Sequence, residues 1–179
     1  TMSFESMLPV FSQKELGAGG SVFSVLIMAT GGGALVGVLG LASLRSSRGT
    51  GWLLLATGVI SGLTPLALAA SSTLPMALLA AGGMGASQAT FMAITNTLVQ
   101  SAVEDRVRGR VSSIYAMHAG GTMAFANLTY GYLADLWGAP IIFTITGSMF
   151  IAFLFLLSLS CSTLRHVYRS GYAAPASAI

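Results

Sequence analysis

The sequence predicts an integral membrane protein built from α-helices. Hydrophobic residues make up 54% of its 179 residues, charged residues only 7%, and the mean hydropathy is +0.81. A soluble domain carries roughly 25% charged residues, and a disordered chain combines low hydrophobicity with high net charge. A transmembrane barrel requires short strands of alternating polarity, whereas the apolar runs here are long and uniform. The remaining class is a set of helices that cross a bilayer.

Charged residues divide the chain into long uncharged runs, and these runs define the predicted spans. A helix needs about 20 apolar residues to cross the hydrocarbon core of a bilayer. The run 49–103 is long enough for two such helices, and the segment 71–75 supplies a turn within it. We therefore expect five spans, over about 19–44, 52–70, 75–100, 111–134 and 139–163.

The distribution of basic residues predicts the orientation of these spans. Seven of the eight lysine and arginine residues follow the first, third or fifth span, which places them on one side of the membrane. Lysine and arginine concentrate on the cytoplasmic side. We therefore predict a cytoplasmic C-terminus and an outward-facing segment 1–15. The small, neutral residues of 170–179 predict a disordered end.

Small residues recur at four-residue spacing in the first three spans. Helices pack closely in a bilayer where such residues let two backbones approach. This interpretation applies to the pairs Gly33 and Gly37, Gly58 and Gly62, and Ala81 and Gly85. The alternative is a flexible site that bends a helix beside a cavity, for which Gly31–Gly33 is the best candidate.

Polar side chains are concentrated in the third and fourth predicted spans. At 100° per residue, Met84, Gln88, Phe91, Met92 and Thr95 share one face of the third span, and Tyr115, His118, Thr122 and Thr129 share one face of the fourth. Methionine adapts to irregular shapes, and polar groups orient a solute. From these faces we predict a substrate path lined by Gln88, Met92, Thr95, Tyr115, His118 and Thr122. The alternative is that these groups bond to neighbouring helices, and Asn127 and Tyr130 fit that alternative better.

The sequence offers little for catalysis or metal binding. It contains one cysteine and two histidines, and neither a Ser-His-Asp set nor a pair of carboxylates lies within a span. We predict no enzymatic activity, no metal and no cofactor. The net charge of +3 sits in short clusters between apolar runs, so no nucleic-acid partner is expected. No Asp or Glu lies deep in a predicted span, so if transport is driven by protons, the coupling carboxylate is expected outside this sequence.

Two segments resemble a known family of transporters. The segment 100–115 contains Glu104, Asp105, Arg108, Gly109 and Arg110, and it resembles the loop between helices ten and eleven of major facilitator superfamily exporters. It is most similar to the bacterial branch that includes the enterobactin exporter and relatives of macrolide efflux proteins. The segment 131–138 is similar to the end of helix eleven in that family. At 123–127 the chain departs from a Pro-Leu-Gly-like stretch that is common there.

The resemblance implies the C-terminal half of a twelve-helix major facilitator fold. Spans one to five would then correspond to helices eight to twelve, of which ten and eleven line the path and nine and twelve are peripheral. Residues 1–18 would form the outer end of a truncated helix and an external loop. Residues 19–164 would form the half-bundle, and 165–179 a cytoplasmic tail. Arg106, Arg108, Gly109 and Arg110 would form a cytoplasmic gating loop that joins the third and fourth spans.

These observations predict half of a secondary transporter in a bacterial plasma membrane. Its expected activity is export of small amphiphilic molecules, such as drugs or siderophores, by alternating access. The expected partners are the lipid bilayer, the missing N-terminal half of the same protein and a small-molecule substrate. The alternative is a small, non-transporting membrane subunit of a larger complex. The sequence upstream of Thr1 would distinguish the two.

Overall fold

The computed structural model describes residues 4–14, 20–43, 50–101 and 103–160, and these form six α-helices. Arg45, Arg48, Cys161 and the predicted tail lie outside the described residues. No strand occurs in the described ranges. The helices are α1 (Leu8–Lys14), α2 (Gly20–Ser43), α3 (Thr50–Ala69), α4 (Leu74–Ser101), α5 (Asp105–Trp137) and α6 (Ala139–Ser160).

Four of the described helices are both long enough and apolar enough to cross a membrane. They are α2, the segment Trp52–Ala69 of α3, α4 and α6, and they match the predicted first, second, third and fifth spans. The predicted fourth span lies within α5. That helix has 33 residues and is therefore about 50 Å long at 1.5 Å per residue, but it is more polar. A membrane crossing by α5 stays a prediction.

Helix α5 begins earlier than the sequence suggests. We expected a loop through Arg106, Arg108, Gly109 and Arg110, and a helix from 111. The structure places all four residues in the first turns of α5, which begins at Asp105. Arginine is a strong helix former, so a local cluster of charge does not by itself interrupt a helix.

Helix α4 is the centre of the bundle, and it packs against α2 through glycines. A Cβ atom added to Gly33 would overlap the backbone of Gly82, and one added to Gly85 would overlap the backbone of Thr30. A Cβ atom on Gly37 would lie 2.5 Å from the carbonyl oxygen of Ala86. Ala29 lies near Gly82 and Gly37 lies near Ala86 and Thr90, so the contacts advance along both helices in the same direction and α2 and α4 are parallel. The close-packing interpretation of these glycines is confirmed, whereas a Cβ atom added to Gly31 or Gly32 would have no neighbour within 4 Å in the described part of the chain.

Helix α3 runs antiparallel to α4 on one side and to α6 on the other. An added Cβ on Gly58 would contact Phe91 of α4 at 3.2 Å and Leu154 of α6 at 3.1 Å. Further along, an added Cβ on Gly147 of α6 would lie 2.7 Å from the carbonyl oxygen of Gly62. The glycines of α3 thus let the neighbouring helices α4 and α6 approach its backbone closely.

Helix α1 closes one end of the bundle, which we call the α1 end. Its Phe11 ring meets the Phe143 ring edge to face, with centroids 6.0 Å apart. The Lys14 ammonium donates a hydrogen bond of 3.1 Å to the carbonyl oxygen of Asp135, close to the turn between α5 and α6. The buried core at this end joins all six described helices to the segment before α1; it consists of Phe4, Met7, Leu8, Phe11, Leu26, Leu68, Ala77, Ala80, Ala81, Met84, Ala134, Ala139, Ile142 and Phe143.

Candidate functional site

Two adjoining cavities lie beside α4, and both contain residues of the predicted path. We name them the Tyr115 cavity and the Gln88 cavity. Met92 of α4 lines both, and its side chain is 43% exposed. The predicted face of α4 therefore does border open space in the described part of the protein.

The Tyr115 cavity lies between α3, α4, α5 and α6 and has a volume of about 230 Å³. Of the predicted path residues, it brings together Met92, Thr95 and Tyr115. The Thr95 hydroxyl donates a hydrogen bond of 2.8 Å to the carbonyl oxygen of Phe91 in its own helix. The remaining walls are mostly apolar, and they are formed by Ser61, Phe91, Ala119 and Phe150.

The edge-to-face pair of Phe91 and Phe150 stiffens one wall of this cavity. Their ring centroids are 6.1 Å apart and the planes are inclined by 82°. Such pairs contribute about 0.5–1.5 kcal/mol beyond the area they bury. An aromatic wall beside a methionine suits an apolar solute of variable shape.

The Gln88 cavity lies between α2, α4 and α5 and has a volume of about 210 Å³. Gln88 is 6% exposed and is one of the few buried polar side chains of α4. The Thr30 hydroxyl donates a hydrogen bond of 3.0 Å to the carbonyl oxygen of Leu26 within α2. The other lining residues are Phe4, Glu5, Ala34, Gly85, Ala89, Met92 and Met123.

The path residues of α5 do not all meet in these cavities. Tyr115 lines the first cavity, but His118 and Thr122 are exposed and line neither. The two residues expected to have a structural role lie elsewhere on the helix. Tyr130 packs against the core at the α1 end, and the buried Asn127 Oδ1 has no hydrogen-bond partner among the described residues.

The arginines of α5 lie at the end of the bundle opposite α1. Arg106, Arg108 and Arg110 are exposed, as is Gly109. The Arg108 Nε donates a hydrogen bond of 3.1 Å to the carbonyl oxygen of Gln100, near the end of α4. This bond ties the start of α5 to the end of α4 and satisfies one of the carbonyls that a helix end leaves without an intrahelical partner.

Glu5 and Phe4 line the Gln88 cavity, although neither was predicted as a site residue from sequence. Segment 1–15 was predicted to face outward, because five spans separate it from the predicted cytoplasmic C-terminus. The available signal was the spacing of Phe4, Met7, Leu8 and Phe11, which is that of one buried helical face. Among the described residues, no group of three His, Cys, Asp or Glu side chains is placed to hold a metal ion.

These features define a multi-pass, α-helical membrane protein. A family model described as a transmembrane secretion effector of the major facilitator type matches residues 1–170, and the chain belongs to this transporter family. This match confirms the superfamily that segment 100–115 suggests. Comparison with curated proteins and with solved structures gave no match.

Proposed function

We propose that this chain is the C-terminal half of a secondary exporter of small amphiphilic molecules. One observation carries the proposal: two cavities with methionine, aromatic and polar walls meet at Met92, beside the central helix α4. Membership of the transmembrane secretion effector family supports transport as the activity. A transporter of this type binds its substrate between two halves and exposes it to each side of the membrane in turn.

The walls of the cavities suit a substrate with an apolar body and a few polar groups. Met92 and Tyr115 offer adaptable apolar and aromatic contact, whereas Gln88 and Thr95 offer polar atoms. His118 and Thr122 are exposed on α5, and in the proposal they face the N-terminal half across the path. Helices α3 and α6, which the resemblance makes peripheral, also contribute Ser61 and Phe150 to the walls of the Tyr115 cavity.

The proposed setting is a bacterial plasma membrane with the arginine-rich end in the cytoplasm. The clustering of seven of the eight basic residues after alternate spans supports this orientation. Arg106, Arg108, Gly109 and Arg110 then form a cytoplasmic element that controls how α4 and α5 move against the other half. The bond from Arg108 to α4 supports that role.

A small membrane subunit without transport activity is the competing function. It would need no upstream membrane spans, whereas the exporter requires about six or seven more in the same reading frame. The nucleotide sequence before the codon of Thr1 decides between them. The exposed apolar side chains of α5, such as Met117 at 81% and Phe125 at 75%, fit either a second half or lipid.

The path is tested by measuring efflux of several dyes, normalised to protein abundance, for Gln88→Ala and His118→Ala in the full-length protein. One lost polar contact is worth about 0.5–1.5 kcal/mol, so we expect relative efflux of individual dyes to change roughly two- to tenfold. Thr57→Ala is the control, because Thr57 lines neither of the two cavities and its hydroxyl donates a hydrogen bond of 2.7 Å to the carbonyl oxygen of Leu53 in its own helix, α3. An unchanged dye profile for both path variants would refute the assignment, and lost abundance alone would indicate a structural role.

A further inference from the structure

Glu5 is a carboxylate that the fold carries into the bundle. Its neighbour Phe4 is 4% exposed and belongs to the buried core, as do Met7 and Phe11. On the other side of Glu5, Ser6 lies against α5, because a Cβ added to Gly131 would be 3.5 Å from the Ser6 Cβ. Glu5 itself is exposed. The segment 4–14 is therefore anchored by its apolar side chains and presents Glu5 to an open space.

That open space is the Gln88 cavity, which lies at mid-height in the bundle. Gln88 is at the middle of α4, and Thr30 and Met123 are near the middles of α2 and α5. The midpoint of a spanning helix lies near the centre of the bilayer, where secondary transporters bind their substrates. Glu5 borders this cavity from the side of the α1 end, since its neighbour Ser6 lies beside Gly131, about 12 Å along α5 from Met123.

Glu5 is exposed to this open space, and a carboxylate beside a cavity within the bilayer needs a cation or water to stabilise its charge. Among the described residues that line the cavity, none has a basic side chain. The Lys14 ammonium is directed to the carbonyl oxygen of Asp135 at the α1 end. Arg106, Arg108 and Arg110 lie at the opposite end of α5, with Arg110 roughly 20 Å along the helix axis from Met123.

The geometry points to Glu5 as the group that binds the positive charge of an organic-cation substrate. Phe4, Met92 and Met123 form the apolar surface for the body of such a molecule, and the ring of Phe4 also attracts a cation. Gln88 supplies a polar atom in the same wall. This inference rests on the proposed export function and narrows its substrate class to amphiphilic cations.

The test uses two probes of related shape on the full-length protein. Tetraphenylphosphonium carries a permanent positive charge, and triphenylphosphine oxide is neutral. Binding to purified protein and efflux from cells are measured for both probes. We expect Glu5→Gln to weaken tetraphenylphosphonium binding by at least about tenfold, since it removes the charge partner, and to leave the neutral probe within about twofold.

Two further variants control for charge and for shape. Glu104→Gln removes an exposed carboxylate at the other end of the bundle, and we expect both probes to be unaffected. Glu5→Asp keeps the charge on a shorter side chain and is expected to restore part of the cation binding. Abundance is measured for every variant, and a folding defect would lower it for Glu5→Gln and reduce both probes together.

The outcomes separate this inference from the proposed function. Unchanged cation binding in Glu5→Gln, or equal loss of both probes at normal abundance, overturns the role of Glu5 while export still stands. If the unaltered protein exports the neutral probe but not the cation, the role of Glu5 is likewise overturned while the export function stands. If the unaltered full-length protein exports neither probe nor any of the dyes, the export function itself is refuted.

Discussion

Replacing Gly37 by alanine is expected to force α2 away from α4. The added Cβ would lie 2.5 Å from the Ala86 carbonyl oxygen, 2.7 Å from the Thr90 Oγ1 and 2.9 Å from the Ala86 Cα. Ordinary van der Waals contact begins at 3.4 Å, so the two helices must separate locally by about 0.9 Å. Two of the three contacted atoms belong to the backbone, which cannot move without shifting the helix.

The size of the effect follows from the loss of packing along this interface. A gap of 0.5–1 Å forfeits about a quarter to a half of each dispersion contact, and overpacking typically costs about 1–3 kcal/mol. Alanine favours a helix over glycine by roughly 0.5–1 kcal/mol, which offsets part of this cost. In a bilayer the hydrophobic effect does not compensate for the lost packing between α2 and α4, because lipid tails are as apolar as the helix face.

Gly40→Ala is the matched control, because Gly40 lies on the same helix and no atom of the described residues lies within 4 Å of a Cβ added there. Both variants gain the same helix propensity, so their difference isolates the steric term. We expect Gly37→Ala to be less stable than Gly40→Ala by about 1–3 kcal/mol, or about 2–10 °C in Tm. Thermal unfolding of the purified protein in detergent measures this difference. Equal Tm values would refute the assigned packing of α2 on α4.

Two further predictions concern topology and the arginine-rich end. In a Cys161→Ser background, Ser72→Cys is expected to react with an impermeant thiol reagent in intact cells and Ser46→Cys is not; the opposite pattern would invert the orientation. Arg108→Ala is expected to reduce efflux at unchanged abundance because it removes the bond between α5 and α4. Ser113→Ala serves as its control, because the Ser113 hydroxyl donates a hydrogen bond of 2.9 Å to the carbonyl oxygen of Gly109 in its own helix, and equal efflux in the two variants would leave Arg108 without a special role.

The candidate site was partly predictable from sequence. The helical periodicity placed Gln88, Met92 and Thr95 on one face of α4, and all three border a cavity. Periodicity gives the direction of a side chain relative to its own helix only. It could not distinguish the part of α5 that borders a cavity, at Tyr115, from the part that faces away from the bundle, at His118.

The sequence by itself determined which segments can cross the membrane. The length of an apolar run between charges is a local property, and it placed α2, α3, α4 and α6 within a few residues of their ends. The same local rule misplaced the start of α5, because charge marks the limit of a membrane span but not the limit of a helix.

Only the tertiary structure decided which helices touch and where the segment before α2 lies. Parallel packing of α2 on α4 depends on Gly33 and Gly37 meeting Gly82 and Ala86, and these residues are far apart in sequence. The placement of Glu5 depends on Phe4 and its neighbours filling a core that five other helices form. The physical reason is that apolar length fixes depth in a bilayer, whereas lateral position depends on the fit between surfaces that the fold brings together.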